Sequence, residues 1–391
     1  MDKILLPFRQ GKILNAIFIT NILISFHYAL IIYINSSFLS NFFTEGQVSA
    51  LYIIGSILDT ILLLNSSKIL EKIGGYRFII YVTTFELLST VGLLLSGNAF
   101  LVSLSFLVHV SCISQILFNM DVFVESVSKN ENNTGSIRAT FLTLVSVALV
   151  ISPTIVSILV SDSVYSYVYL LSALFLLPLY YLFRNFKKIE TKLVKHIVLK
   201  DTILEYLKDK NLHNVFTANF LLQFFYGFMV IYMPIYLQHH IGFSWSEIGI
   251  IFTIMLLPFV LFEIPVGELA DYKYGEKEFL AIGFVIMALS TIFMSFITVK
   301  VFWIWASILF ISRIGASLVE VSSESYFFKH VNEKSSDIIS FFRVDRPVAF
   351  IVAPIVATIS MQLVPFQYVF IIFGVILAFG IKYALALEDT K

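Results

Sequence analysis

Charge is scarce in this sequence. Only 13% of its 391 residues are Asp, Glu, Lys or Arg, about half of the ~25% usual for soluble domains. The 26 basic and 26 acidic residues cancel, so there is no electrostatic footprint for nucleic acid. A single cysteine, Cys112, excludes an internal disulfide framework and a thiolate metal cluster. No G-x-x-x-x-G-K-[ST] phosphate loop, H-E-x-x-H pair or G-x-S-x-G elbow occurs. Neither an ATP motor nor a hydrolytic enzyme is therefore expected, and no cofactor is implied. His27 and His109 read as isolated residues, so no metal site is expected either. The short basic stretch Met1–Lys12 is followed by an apolar run too long for a signal peptide and lacking a small-residue cleavage site. It reads as a retained first helix.

Apolar residues fill the space that charge leaves. They make up 58% of the chain, more than a soluble domain of this length can hide. The solvent that suits such a chain is lipid, where a helix needs ~20 mostly apolar residues to span. Twelve such segments can be placed: 13–35, 46–67, 76–96, 99–125, 137–161 and 165–184, then 211–238, 245–267, 278–298, 300–324, 337–361 and 365–387. Backbone groups in lipid must be satisfied internally, so these are helices. The ~10-residue alternation of a membrane barrel is absent. Threading twelve spans from a cytoplasmic N-terminus puts Lys3, Arg9, Lys12, Lys68, Lys72, Arg77, Lys129 and Arg138 on the cytoplasmic side, and Lys300 alone in an outside loop. That is the positive-inside bias, and it places both termini in the cytoplasm. The basic stretch 185–210 reads as a cytoplasmic linker between a six-helix bundle at 1–184 and another at 211–391.

The chain repeats itself at an offset near 200. Phe43-Thr-Glu-Gly-Gln-Val-Ser49 matches Phe243-Ser-Trp-Ser-Glu-Ile-Gly249, and each carries a capping box, Thr44 with Gln47 and Ser244 with Glu247. Asp121 and Glu125 close span 4 as Glu320 and Glu324 close span 10. Ser152-Pro153 and Ala353-Pro354 follow each pair. Asn21, Ser25 and Tyr28 share a face of span 1, and Asn219, Gln223 and Tyr226 repeat that spacing in span 7. Parallel six-helix halves are a transporter plan, with the solute near the midplane between them.

The loop after span 8, Gly267-Glu-Leu-Ala-Asp271-Tyr-Lys-Tyr-Gly275-Glu-Lys277, resembles the G-x-L-A-D-R-x-G-R-K signature of the major facilitator superfamily. Tyr272 stands where that family usually has arginine. The first-half copy is worn: Ser67 replaces the first glycine, Leu70 the aspartate, and Gly74 and Arg77 remain. Span 4 lacks the arginine that many members use in proton coupling, so drug/proton antiport is not supported. The resemblance implies an all-α membrane fold of two pseudo-symmetric bundles. It implies a monomer in the plasma or inner membrane that moves a small organic solute by alternating access.

Ionisable residues inside spans are costly and are the first functional candidates. The resemblance implies a cytoplasmic gating network of Gly267, Asp271, Gly275, Lys277, Glu320, Glu324, Arg343, Asp345 and Arg346, with Asp121, Glu125 and Arg138 as its first-half counterpart. Arg313 is unmatched in span 4 and can bind an anionic group with its fork, or pair with an acid such as Glu263. Asp59, Glu86 and Glu263 are deep acids. A carboxyl held away from water can load and release a proton, so they are candidates for coupling to a proton or cation. Glu86 can equally pair locally. The cavity candidates are Asn21, Ser25, Tyr28, Gln115, Asn119, Asn219, Gln223, Tyr226 and Arg313, whose alternative role is interhelical hydrogen bonding. Two other functions compete with transport on this fold: a membrane assembly protein that has lost transport, and a lipid-modifying enzyme. The enzyme would need acids and bases converging on one face.

Overall fold

The computed structural model describes residues 11–95, 97–128, 134–160, 164–189, 208–269, 275–330 and 336–388. Twelve helices are long and apolar enough to cross a membrane, and no sheet forms among the described residues. The chain separates into two compact units, Met1–Val194 and Lys195–Lys391.

In the first unit α1 spans Lys12–Ile31, α2 Glu45–Ile73, α3 Gly75–Leu94, α4 Ala99–Ser128, α5 Thr134–Leu159 and α6 Ser166–Leu176, the last carried on by a short helix, Leu179–Leu182, and a 3-10 stretch, Phe183–Lys188, into one span. A turn at Ile32 and Tyr33 breaks the run that begins as α1, and a short helix, Ile34–Leu39, follows with every residue buried. That short helix carries Asn35 into the unit. The second unit holds α7 (Lys210–Ile235), α8 (Trp245–Leu269), α9 (Glu276–Met294), α10 (Phe302–His330), α11 (Ser336–Leu363) and α12 (Phe366–Leu385). Pro234, near the end of α7, offers no N–H, and the helix runs on into a wider π-helical turn, Tyr236–Ile241. Gly242, at φ 86°, then ends it in the left-handed region, where glycine is at home.

Packing repeats as the sequence does. In the first unit α1 lies on α5 and α6, α2 on α4, and α3 on α4 and α6; in the second, α7 lies on α11 and α12, α8 on α10, and α9 on α10 and α12. The Thr44 capping box is complete, with both the side-chain and backbone bonds made. At Ser244 the backbone N–H and the hydroxyl both donate to Glu247, at 2.9 and 2.8 Å. Gly74 and Gly275 stand at equivalent places, as the caps before α3 and α9, with φ/ψ of 79°/151° and 83°/168°.

The outward faces are apolar, as lipid requires. On α3, Tyr81, Phe85 and Leu88 are exposed, while Phe78, Val82, Glu86 and Thr90 are buried on the opposite face. In the second unit small residues bring backbones together. A Cβ on Gly283 of α9 would stand 2.7 Å from the Gly315 carbonyl oxygen on α10, and one on Gly315 would meet the Gly283 oxygen at 2.7 Å. This is the small-residue contact by which membrane helices approach closely.

Candidate functional site

Each unit contains a polar cluster inside its helices. The first unit's cluster joins residues that look unrelated in sequence. The inner face of α3 carries Glu86, α1 carries His27 and α4 carries His109, all buried. Glu86 Oε1 lies 2.9 Å from His27 Nε2 and 2.6 Å from His109 Nδ1. His27 and His109 are therefore not isolated, and the sequence expectation is corrected here. Separations of 59 and 23 residues from the acid leave no local spacing to reveal the cluster. Thr90 Oγ1 approaches the same carboxylate oxygen at 3.3 Å. Glu86 Oε2 is buried without a hydrogen-bond partner. Ser172 of α6 and Asn35 hold the outer edges of the two imidazoles. The three ligand atoms lie within 4.8 Å of one another, so the group could also surround a metal ion. The 2.6 and 2.9 Å separations are hydrogen-bond lengths, and both outer ring nitrogens already have partners.

The other first-half candidates are spread along the helices. Asn21 Nδ2 donates to the Phe141 carbonyl oxygen of α5 at 2.8 Å. Ser25 is buried with its hydroxyl unpartnered, and Tyr28 is half-buried. Ser114 Oγ donates to Asp59 Oδ2 at 2.8 Å, and Ser66 Oγ donates to Gln115 Oε1. Asn119 is buried with neither amide atom hydrogen-bonded. Asp121 is half-buried on α4.

The second unit's cluster centres on Arg313 of α10, which is 1% exposed. Its guanidinium carbon lies 4.9 Å from the Phe225 ring centroid and 5.3 Å from that of Tyr226, both on α7. Rings at that range attract a cation, but they accept no in-plane N–H. Nε and Nη1 have no hydrogen-bond partner. The Tyr226 hydroxyl donates instead to Glu320 Oε2 at 2.7 Å, and Glu320 feels the charges of Arg346 and Arg313. Asn219 Nδ2 donates to Asp345 Oδ2 at 2.9 Å. Residues assigned from the sequence to a cavity (Asn219, Tyr226) are thus joined to residues assigned to a gate (Asp345, Glu320).

Gln223 is half-buried, Lys277 is partly exposed and Glu324 is exposed. Arg346 is exposed, with its guanidinium carbon 5.8 Å from the Phe350 ring. Asp271 and most of the 185–210 stretch lie outside the described residues, as do the side chains of Glu125, Arg138, Glu263 and Arg343. Gly267 falls within α8. Sequence reasoning missed Glu276, which takes the place of a basic residue of the signature. It is buried and accepts from Ser325 Oγ at 2.9 Å and from Lys329 Nζ, pinning α9 to α10.

Residues 215–390, from α7 to α12, match the profile described as the Major Facilitator Superfamily. No curated protein matches the chain in sequence. Among solved structures the chain is similar to the nucleoside transporter NupG, with a TM-score of 0.75 at 14% identity, covering 97% of this chain and 100% of that one. A mutant of NupG matches with a TM-score of 0.73 at 13% identity, over 95% of this chain and 100% of the other. At these identities the likeness is one of fold.

Proposed function

We propose that this multi-pass membrane chain, whose residues 215–390 match the Major Facilitator Superfamily profile, moves a small organic solute by alternating access and anchors that solute at Arg313. The carrying observation is the state of the guanidinium. It is buried against Phe225 and Tyr226, and Nε and Nη1 have no hydrogen-bond partner. Unsatisfied donors on a buried charge are costly, and a planar acceptor that took either of them together with the intervening Nη2 would make a bidentate contact. A carboxylate, phosphate or nucleobase carbonyl edge has that shape, and the aromatic walls suit a flat or apolar body. The solute is therefore an organic anion or a neutral molecule with a strong acceptor edge. The chain sits in the plasma or inner membrane with both termini cytoplasmic, and works as a monomer on a solute or ion gradient.

The test is a thermal-shift screen of the purified protein against nucleosides, carboxylates, sugars and amino acids. A ligand that binds the folded state raises the unfolding midpoint with concentration. A hydrogen bond to a charged group contributes about 1.5–3 kcal/mol, so Arg313→Ala should weaken a true ligand by roughly 10–100-fold with the fold intact. A ligand bound equally well by Arg313→Ala would remove Arg313 from the site.

A further inference from the structure

With Glu86 ionised, the hydrogen-bond partners around it fix where the protons sit. The Tyr169 hydroxyl donates to Asn35 Oδ1 at 2.8 Å, which turns the Asn35 amide N–H toward His109 Nε2 at 3.3 Å. His109 therefore accepts on Nε2, carries its proton on Nδ1, and donates to Glu86 Oε1 at 2.6 Å. His27 Nε2, 2.9 Å from the same oxygen, must also donate, because a carboxylate only accepts. The other ring nitrogen of His27 is the variable one. Nδ1 lies 3.1 Å from the Ser172 carbonyl oxygen and 2.7 Å from Ser172 Oγ, and that Oγ lies 3.0 Å from the His27 carbonyl oxygen.

Two arrangements satisfy these distances. When the Ser172 hydroxyl donates to the His27 carbonyl, Nδ1 donates to Ser172 and His27 is an imidazolium. When the hydroxyl turns to donate to Nδ1, His27 is neutral. Rotation of one hydroxyl hydrogen serves both states and moves no heavy atom. The loaded state pairs the imidazolium with the Glu86 carboxylate, so the buried cluster is neutral. The unloaded state leaves one buried negative charge held by two N–H donors. Burying a lone charge is costly, so the cluster favours uptake of the proton, while the two N–H bonds keep the empty state accessible.

We propose that His27, Glu86 and His109, with Ser172 as a hydroxyl rotor, form a reversible proton-binding site inside the first unit. The titratable groups in contact with Glu86 are His109 and His27. The other titratable groups facing the cluster are Cys112 of α4, which feels Glu86 and Asp59 of α2, and Tyr169, which feels Tyr52 of α2 and Tyr165. The site lies on α1, α3, α4 and α6, so its occupancy reaches four of the unit's six helices. If the chain transports by ion coupling, this is where the proton is held. Proton binding itself does not rest on the solute site, and either reading can fail alone.

The experiment is a pH titration of ¹⁵N-histidine-labelled full-length protein in lipid nanodiscs, read by NMR. The wild type should show one histidine as an imidazolium at acidic pH that loses a single proton as the pH rises, and a second locked as the Nδ1–H neutral form. The imidazolium signal should vanish in His27→Gln. It should also be lost in Glu86→Gln, which keeps an acceptor oxygen but removes the charge. Two results would overturn the proposal: both histidines neutral at every pH where the wild type is folded, or a titrating His27 unaffected by Glu86→Gln. Stoichiometric Zn²⁺ binding that shifts both histidine signals would overturn it too, by assigning the cluster to a metal. Because the chain has seven histidines, the spectra are recorded with His196, His213, His239, His240 and His330 replaced by glutamine, so that the two cluster signals are read without substituting the cluster itself.

Discussion

Asn219 on α7 holds Asp345 on α11 by a 2.9 Å hydrogen bond from Nδ2 to Oδ2, and both side chains are buried. Among the described residues it is the only hydrogen bond to this carboxyl group, since Asp345 Oδ1 has none. Asn219→Ala leaves a buried carboxyl with no donor, a loss of about 1–3 kcal/mol. Asp345→Asn should cost less, because the amide can still bond Asn219 and brings no charge. Thermal unfolding in detergent or nanodiscs should rank the two variants in that order.

Tyr226 should behave similarly about two turns further along α7. Its hydroxyl donates to Glu320 Oε2 at 2.7 Å. Tyr226→Phe keeps the ring beside Arg313 and removes only that bond. A destabilisation of about 1–2 kcal/mol is expected, with the ring's attraction for the guanidinium retained. Tyr226→Ala should cost distinctly more. Equal midpoints for the Phe and Ala variants would show that the ring contributes nothing.

Gly283 and Gly315 separate close packing from simple helix propensity. A methyl group on either would press on the other's backbone oxygen at 2.7 Å, and on Gly315 it would also meet the Met287 backbone nitrogen at 2.9 Å. Backbone cannot step aside as a side chain can. Gly283→Ala and Gly315→Ala should each cost about 1–3 kcal/mol. Gly46, in the first turn of α2, has open space where a Cβ would go. Gly46→Ala should therefore stabilise, by about 0.5–1 kcal/mol. Midpoints from one unfolding series of the three variants check both signs.

Much of this architecture is legible in the sequence, and particular residues show where legibility ends. The spans follow from length and hydropathy, which a lipid solvent imposes on each segment separately. The Thr44 box is local, so four residues suffice to read it. Asn21 and Asn219 stand at matching places in the repeat. Each reaches the fifth helix of its own unit, as the periodicity placed them on matching faces, but the acceptors, Phe141 oxygen and Asp345, could not be named beforehand. The His27, Glu86 and His109 cluster was invisible for a physical reason. Apolar residues surround all three helices' polar positions, so hydropathy cannot say how each helix is rotated. Only the packing of α1, α3 and α4 decides that their polar edges meet. Phe85 and Glu86 are neighbours in sequence, yet one faces outward and the other is sealed inside.

Lys300 and Glu247 offer the opposite expectation. Their charged atoms lie 3.2 Å apart, but the side chains are 46% and 36% exposed. Exposed pairs contribute little, about 0–1 kcal/mol, and weaken with salt. Lys300→Ala should shift the unfolding midpoint only slightly, and less at high salt. A large, salt-independent loss would mean that the pair is shielded in the lipid-embedded protein.

The caps before α3 and α9 share one unusual corner. Gly74 and Gly275 both combine a positive φ with an extended ψ, a region of backbone space that is essentially glycine's alone. At Gly74 nothing lies within 4 Å of where a Cβ would go, so crowding does not demand glycine there; handedness does. The first-half loop has lost the aspartate of the signature, and Gly74 still turns as Gly275 does. Backbone handedness, rather than charge, is thus the part of the motif that both halves keep: an L-residue would resist this corner.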